Sequence, residues 1–452
     1  MMRTCEKRGR FGRIIGLGLP LAVALPLIAF QALVAKAESG KEPSPATGVT
    51  AKHPADPKPA DPSKGDTRSA EVKPVESRRL LDPQLRLGSS LVEKLVNKKP
   101  ELANVMVSPA SLAVVFSLLD LGASDPMRFA IAKTLGFGDA RETAKRDLDA
   151  LRSAGTSVIH RAIGGGPLAL ADLIVLDLAS HPHQSALQRL QSAGATVSVE
   201  DISKPETIAR INDWVKEQTR GLVPTVLDEP PDRAGIVAVN ALYFKDRWKT
   251  PFEPASTRDE QFHMSADKSM QVRMMHAEGH FTFREDAKLV AVELPYASDD
   301  YRLVVVTSKD APLGANEFSH AASWLGGQGF AMKEGEVAMP RFSASGSEDL
   351  LAALDALGLE AARKAPDALK GLAAASQNIS KVVQKTELRI NEEGTEAAAA
   401  TAVVATRSAA VSPDQYVKMI VDKPFVFALR DRQTGLVLLQ GYVAEPAAAP
   451  GL

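Results

Sequence analysis

The chain has 452 residues, 45% hydrophobic and 24% charged, the balance of a globular protein rather than of a membrane bundle or a disordered chain. A formal net charge of −1 provides no field that would gather nucleic acid, which is therefore not expected as a partner. The single cysteine, Cys5, excludes an internal disulfide framework and a cysteine-rich zinc site, so stability has to come from a large apolar core.

At the start of the chain, Arg3, Lys7, Arg8, Arg10 and Arg13 form a basic head. The apolar run IIGLGLPLAVALPLIAFQALVA follows, and then AKA at Ala35–Ala37. These are the parts of a bacterial-type secretory signal peptide over residues 1–37. The apolar run is long, which makes an uncleaved membrane anchor the alternative. The expected location is extracellular or periplasmic, or membrane-tethered if the segment is retained. Cleavage would remove six basic residues and one acid, taking the formal charge from −1 to −6. Residues 38–79 are rich in Pro, Ala, Ser and charge and hold few large apolar side chains. Such a segment cannot bury enough surface to offset its ordering entropy, and it reads as a disordered linker stiffened by its prolines.

From about Leu80 to Pro446 the composition is that of one folded domain, with residues 447–452 as a tail. Leu87, Leu91 and Leu95 recur every four residues, which predicts a helix. SLAVVFSLLDLGA after SPA predicts a buried helix with Ser108 near its start and Gly122 as its stop. ETIARINDWVKEQTRGL carries Ile208, Ile211 and Val215 on one helical face and ends at Gly221. IVAVNALYF, FTFRE, LVAVELPY, YRLVVVTS, GEVAMPRF, SKVVQKTELRI, FVFALRD and GLVLLQGYV read as strands, with the helix EDLLAALDALGL among them. Helices dominate the first half and strands the second, an α+β pattern of helices around large, mainly antiparallel sheets.

No catalytic constellation emerges, and no cofactor or metal is expected. In HAEGH, His276 and His280 precede a strand and lack the helical HExxH arrangement; they read as loop or strand-edge histidines. HPH at His181–His183 reads as a turn. GxSxG and phosphate-cradling glycine motifs are missing from the sequence, and IGGGP at Ile163–Pro167 reads as a loop. The sequence does not read as an enzyme.

One stretch resists a purely local reading. NEEGTEAAAATAVVATRSAAVSPDQ, Asn391–Gln415, combines alanines that favour helix with Gly394 and the β-branched Thr395, Thr401, Val403, Val404 and Thr406. Together with NVMVSPASLAVVFSLLDLGA, INDWVKEQTRGLV, VNALYFKDRWKTPF, LVAVELPY, MPRF, LDALGL, ISKVVQKTELRINEEGTEAAAATA and KPFVFALRDRQTGLVLLQGYVAEP, it resembles the serpins, serine protease inhibitors, collinearly over residues 80–446.

The resemblance implies the serpin fold with an exposed reactive-centre loop. It also implies inhibition as a suicide substrate: a protease cleaves the loop, which inserts as a new strand into the main sheet and traps the covalent acyl complex. The implied hinge comprises Glu392, Glu393, Gly394, Thr395, Glu396, Ala397, Ala398, Ala399, Ala400 and Thr401. With period two, Thr395, Ala397, Ala399, Thr401, Val403 and Ala405 fall on the entering face, and Glu396 falls on the opposite one. Gly394 supplies freedom to turn from loop into sheet. Counting about seventeen residues from Glu392, the family's usual spacing, puts the scissile bond at Ser408–Ala409, with Arg407 as the alternative. Small flanking residues suit an elastase- or subtilisin-like serine protease, whereas Arg407 would suit a trypsin-like one; a cysteine protease stays open.

A sheet-opening cluster is implied at Ser108, Ser111, Asn240, Gln384 and Trp248. Gln384 stands where relatives commonly carry histidine, retaining a donor and an acceptor but not the titration. A monomer is expected. The alternative function is a non-inhibitory serpin acting as a binding or structural protein, although the small residues from Thr395 to Thr401 favour inhibition.

Overall fold

A computed structural model describes residues 74–98, 104–163, 166–221, 223–230, 235–313, 315–375, 378–395 and 416–446, all within the unit Ser69–Leu452. The helices are α1 (Pro74–Lys98), α2 (Pro109–Leu119), α3 (Asp125–Ala132), α4 (Arg141–Ile163), α5 (Gln184–Ser192), α6 (Pro205–Gln218), α7 (Ala315–Ala322), α8 (Leu351–Leu354) and α9 (Glu360–Arg363). The strands are β1 (Asn104–Val107), β2 (Leu168–Asp177), β3 (Thr196–Glu200), β4 (Ile236–Phe244), β5 (Asp246–Arg247), β6 (Arg258–His263), β7 (Ser269–Glu285) and β8 (Leu289–Pro295). They continue with β9 (Tyr301–Ser308), β10 (Ala331–Pro340), β11 (Phe342–Asp349), β12 (Ile379–Asn391), β13 (Gly394–Thr395), β14 (Val417–Ile420), β15 (Phe425–Asp431) and β16 (Val437–Val443).

Two sheets organise these strands. One runs β1-β16-β15-β9-β8-β7-β10-β14, with β6 on β7. The other, the main sheet, runs β3-β2-β4-β12, with β11 on the far side of β12 and β13 and β5 beside the upper end of β12. Most pairs are antiparallel; β2 with β3, β4 with β12, and β10 with β14 are parallel.

Burial follows from sequence. Every residue of α2 is buried, as expected of a helix without a charged position, and Ser108 caps it through its Oγ, which accepts from the Ser111 N–H at 3.2 Å. All nine residues of β4 are buried because both faces of the main sheet are covered. Ile236, Ala238, Leu242 and Phe244 point into the large core shared with α2. Val237, Val239 and Ala241 point the other way, into a second core closed by Ile208, Ile211 and Val215 of α6. The period-two alternation of a strand thus serves two cores at once.

Where the structure departs from the local reading, the reason is tertiary. HAEGH lies inside the long strand β7, and His276 is buried between Glu260 (2.9 Å) and Glu336 (3.1 Å) rather than in a loop. The sequence could not show that β6 and β10 each bring a carboxylate to it. Among the described residues no group of three or more His, Cys, Asp or Glu could hold a metal ion, and no helix is long and apolar enough to cross a membrane. The first helix begins at Pro74, ahead of Leu80.

Candidate functional site: the hinge and the sheet seam

The seam is the parallel pair β4–β12, in register from Val237 opposite Lys381 to Tyr243 opposite Glu387, with Ile236 opposite Ile379 across a one-residue irregularity. Above it β12 continues to Asn391, whose Oδ1 accepts from the N–H groups of Glu393 (3.0 Å) and Gly394 (3.1 Å) and so reverses the chain. Gly394 and Thr395 then run antiparallel to Ile390–Asn391 on one side and to Asp246–Arg247 on the other. Gly394 has φ 148°, and a Cβ there would lie 2.2 Å from the Asp246 carbonyl oxygen and 2.6 Å from the Arg247 Cα. Only glycine fits that slot. Thr395 is 0% exposed, and its Oγ1 lies 2.8 Å from the Tyr296 phenol oxygen. Burial holds that phenol far above its ordinary titration range, so it stays protonated.

Glu392, at the turn, is buried at 4% exposure and is held by Arg341 through Nε (2.7 Å) and Nη2 (2.6 Å) and by the Thr257 hydroxyl. Its carbonyl accepts from the Phe252 N–H at 2.9 Å, and that of Glu393 from the Trp248 N–H at 2.8 Å. Trp248 also donates from Nε1 to the Asn391 carbonyl at 2.9 Å and stacks on Tyr296 at 4.5 Å. The reversal is therefore clamped from both the backbone and the side-chain side.

Lower on the seam, on the face toward α2, lies a polar chain. The Gln384 amide pairs reciprocally with the Ser108 backbone: Oε1 accepts from N at 2.6 Å, and Nε2 donates to O at 3.0 Å. The same Nε2 reaches Asn240 Oδ1 at 3.3 Å, across the seam. Ser108 Oγ donates to Ser111 Oγ at 2.9 Å. On its other side Asn240 donates to Asp172 of β2, directly opposite it in register. Burial pushes the Asp172 carboxyl up to about 7, against the opposing pull of the Asn240 bond. Its second oxygen, Oδ2, is covered and has no partner.

The structure thus brings together Ser108, Ser111, Asn240 and Gln384, and the described hinge residues Glu392, Glu393, Gly394 and Thr395. Trp248, grouped with the first set on resemblance, sits with the hinge set instead, because it lies beyond the end of β4. Glu396, Ala397, Ala398, Ala399, Ala400, Thr401, Arg407, Ser408 and Ala409 lie outside the described residues. Sequence reading passed over Asp172, Arg341, Thr257 and Tyr296. The one available signal was an acid at position 172 inside the otherwise apolar LALADLIVL.

Comparison with known proteins agrees with this geometry. The family model described as Serpin (serine protease inhibitor) matches residues 83–446. Neuroserpin of Gallus gallus is 31% identical over 369 residues, covering 76% of this chain and 87% of that protein. Leukocyte elastase inhibitor of Sus scrofa is 29% identical over 373 residues, covering 78% and 96%. The crystal structure of Serpin48, described as a highly specific serpin in the insect Tenebrio molitor, superposes with a TM-score of 0.70 at 26% identity, covering 82% of this chain and 99% of that one.

Proposed function

This chain belongs to the serpin family, described as serine protease inhibitors rather than catalysts with turnover, and we propose that it inhibits by inserting its own cleaved loop between β4 and β12. The observation that carries this reading is the seating of Gly394 and Thr395. They already form the first two residues of a strand between β12 and β5, in line with the seam below. A strand continuing from Thr395 would part β4 from β12 and pair with both. Thr395 faces the core, so the alternation puts Ala397, Ala399, Thr401, Val403 and Ala405 inward and Glu396 outward. None of the inward groups carries a charge, and none is large.

The partner is a serine protease that accepts small residues, elastase- or subtilisin-like, cut at Ser408–Ala409; cleavage after Arg407 would make it trypsin-like. Residues 1–37 direct export, and the Pro- and Ala-rich stretch between them and α1 spaces the domain from the membrane or the cleavage site. The test is a denaturing gel after mixing the chain with elastase-, subtilisin- and trypsin-like proteases, together with mass spectrometry of the released carboxyl-terminal peptide. A complex that survives boiling is expected. Complete loop cleavage without any complex would replace this reading with that of a non-inhibitory family member.

A further inference from the structure

Asp172 is an ionisable group that neither the hinge nor the bait requires. It shares the core-facing side of the main sheet with Asn240 and Gln384, and its neighbours are neutral from every direction. On β4 it meets the Asn240 amide. On β12 the next polar group is the Gln384 amide. Helix α2, packed beneath, has no titratable side chain from Pro109 to Leu119. β3 pairs only from Leu173 onward, and its one acid, Glu200, lies opposite Asp177 and is held by Arg210 and Ser198. Helix α4, also against β2, has Arg152 paired with Asp149 and Asp120 and Arg161 paired with Asp431, and its His160 is exposed. Helix α6 lies on the opposite face of β2. Accordingly, only burial and the Asn240 bond act on the Asp172 carboxyl, and no charged group does.

We propose that Asp172 is a proton-operated latch on sheet opening: its neutral carboxyl lets the chain Asp172–Asn240–Gln384–Ser108 hold β4 against β12, and loss of the proton loosens that hold. The neutral acid accepts the Asn240 bond at Oδ1 and leaves one uncharged O–H without an acceptor at the covered Oδ2, the smaller of the two penalties. The carboxylate needs several donors, finds one, and leaves Oδ2 bare. Parting β4 from β12 breaks the Asn240–Gln384 bond, frees Asn240 to reorient and lets water reach the cluster, so the charged form favours the open seam. Relatives that carry histidine at the position of Gln384 would titrate on β12; here the proton sits two strands away, on β2.

The latch rests on the insertion reading, and its test keeps the two apart without using a protease. A synthetic peptide of sequence TEAAAATAVVAT, residues 395–406, is mixed with the full chain, and its annealing into the sheet is followed by native gel or by a fluorescent label. With a single proton in control, the rate is expected to be about tenfold lower near pH 6 than near pH 8. D172N, neutral at every pH, should stay close to the natural chain's acid-side rate throughout. The carboxylic-acid C=O stretch in the infrared difference between the natural chain and D172N should vanish over the same range. A pH-independent rate in the natural chain overturns the latch while leaving insertion intact, and this arm decides the matter even if D172N does not fold. The same pH slope in D172N also overturns it. A peptide that anneals at no pH overturns the insertion reading and the latch with it.

Discussion

Glu392 is a buried carboxylate whose charge is met by one cation, Arg341, and one hydroxyl, Thr257. Replacing Arg341 with methionine keeps the volume but strands the charge. Because the Arg341 side chain keeps 24% exposure, the loss is discounted from that of a fully buried pair, to about 2–4 kcal/mol, read from the denaturation midpoint. Gly394→Ala acts sterically: its Cβ would overlap the Asp246 carbonyl at a φ that L residues avoid. A loss of about 1–3 kcal/mol is expected, with a change in Trp248 emission as the reversal lifts off the ring. At Asp172 the effect depends on pH. The folded-state value of about 7 lies above the ordinary 3.8, so the native state binds the proton more tightly than the unfolded chain. The stability this gives is complete below about pH 4, declines as pH rises, and is gone above about 7, a span of up to about 4 kcal/mol. The stability of the natural chain minus that of D172N, measured from pH 4 to 8, should trace this fall; a flat difference would contradict it.

On the proposed reading, the element on which function turns is the short strand β13, because its two residues would set the phase of an inserted strand continuing from them. Thr395 occupies a closed site against Tyr296, so Thr395→Arg would force a long charged side chain into a space fitted to a small hydroxyl. Insertion should then fail while the loop remains cleavable, giving a cleaved band and no stable complex on the denaturing gel. The inward seat of Thr395 was legible in the sequence from strand alternation, whereas Glu396 lies outside the described residues. Helix α2 and strand β4 were legible for a similar reason: unbroken apolar runs beside Ser108 and around Asn240 admit few other placements. The pairing partners were not legible. Arg341 reaches Glu392 across 51 residues of sequence, Asp172 reaches Asn240 across 68, and Gln384 reaches Ser108 across 276. Which distant elements become neighbours brings these groups together, and no local pattern of the sequence specifies that choice. The transfer of Trp248 from the lower cluster to the hinge has the same origin, since eight residues along an extended chain separate it from Asn240 by more than the reach of either side chain.

At the scale of the molecule, the seam is a parallel pairing, slightly less stable per residue than the antiparallel pairs that make up most of both sheets. β4 and β12 are parallel neighbours, whereas a strand entering between them from Thr395 would run antiparallel to both. One parallel ladder would be exchanged for two antiparallel ones, which are the more stable kind per residue. The intact loop cannot make that exchange fully, because its far end is committed to β14, which pairs with β10 at the edge of the other sheet from Val417 onward. On the proposed reading, cleavage between the hinge and β14 would remove the tether, and the cut chain would gain a central strand that the whole chain is denied. Helix α6 would then have to accommodate the wider sheet. Its link to the seam is the segment after it, held by Asn212 accepting from the N–H groups of Val226 and Leu227 and by Lys385 Nζ donating to the Thr225 carbonyl at 2.7 Å. If the loop inserts as proposed, proteolysis would make the protein more stable. After limited cleavage in the loop, with both fragments still associated, the thermal midpoint should rise by at least about 10 °C over the intact chain. The same cleavage in Thr395→Arg should leave the midpoint near its starting value. A cleaved natural chain that melts at or below the intact one would show that the seam does not open.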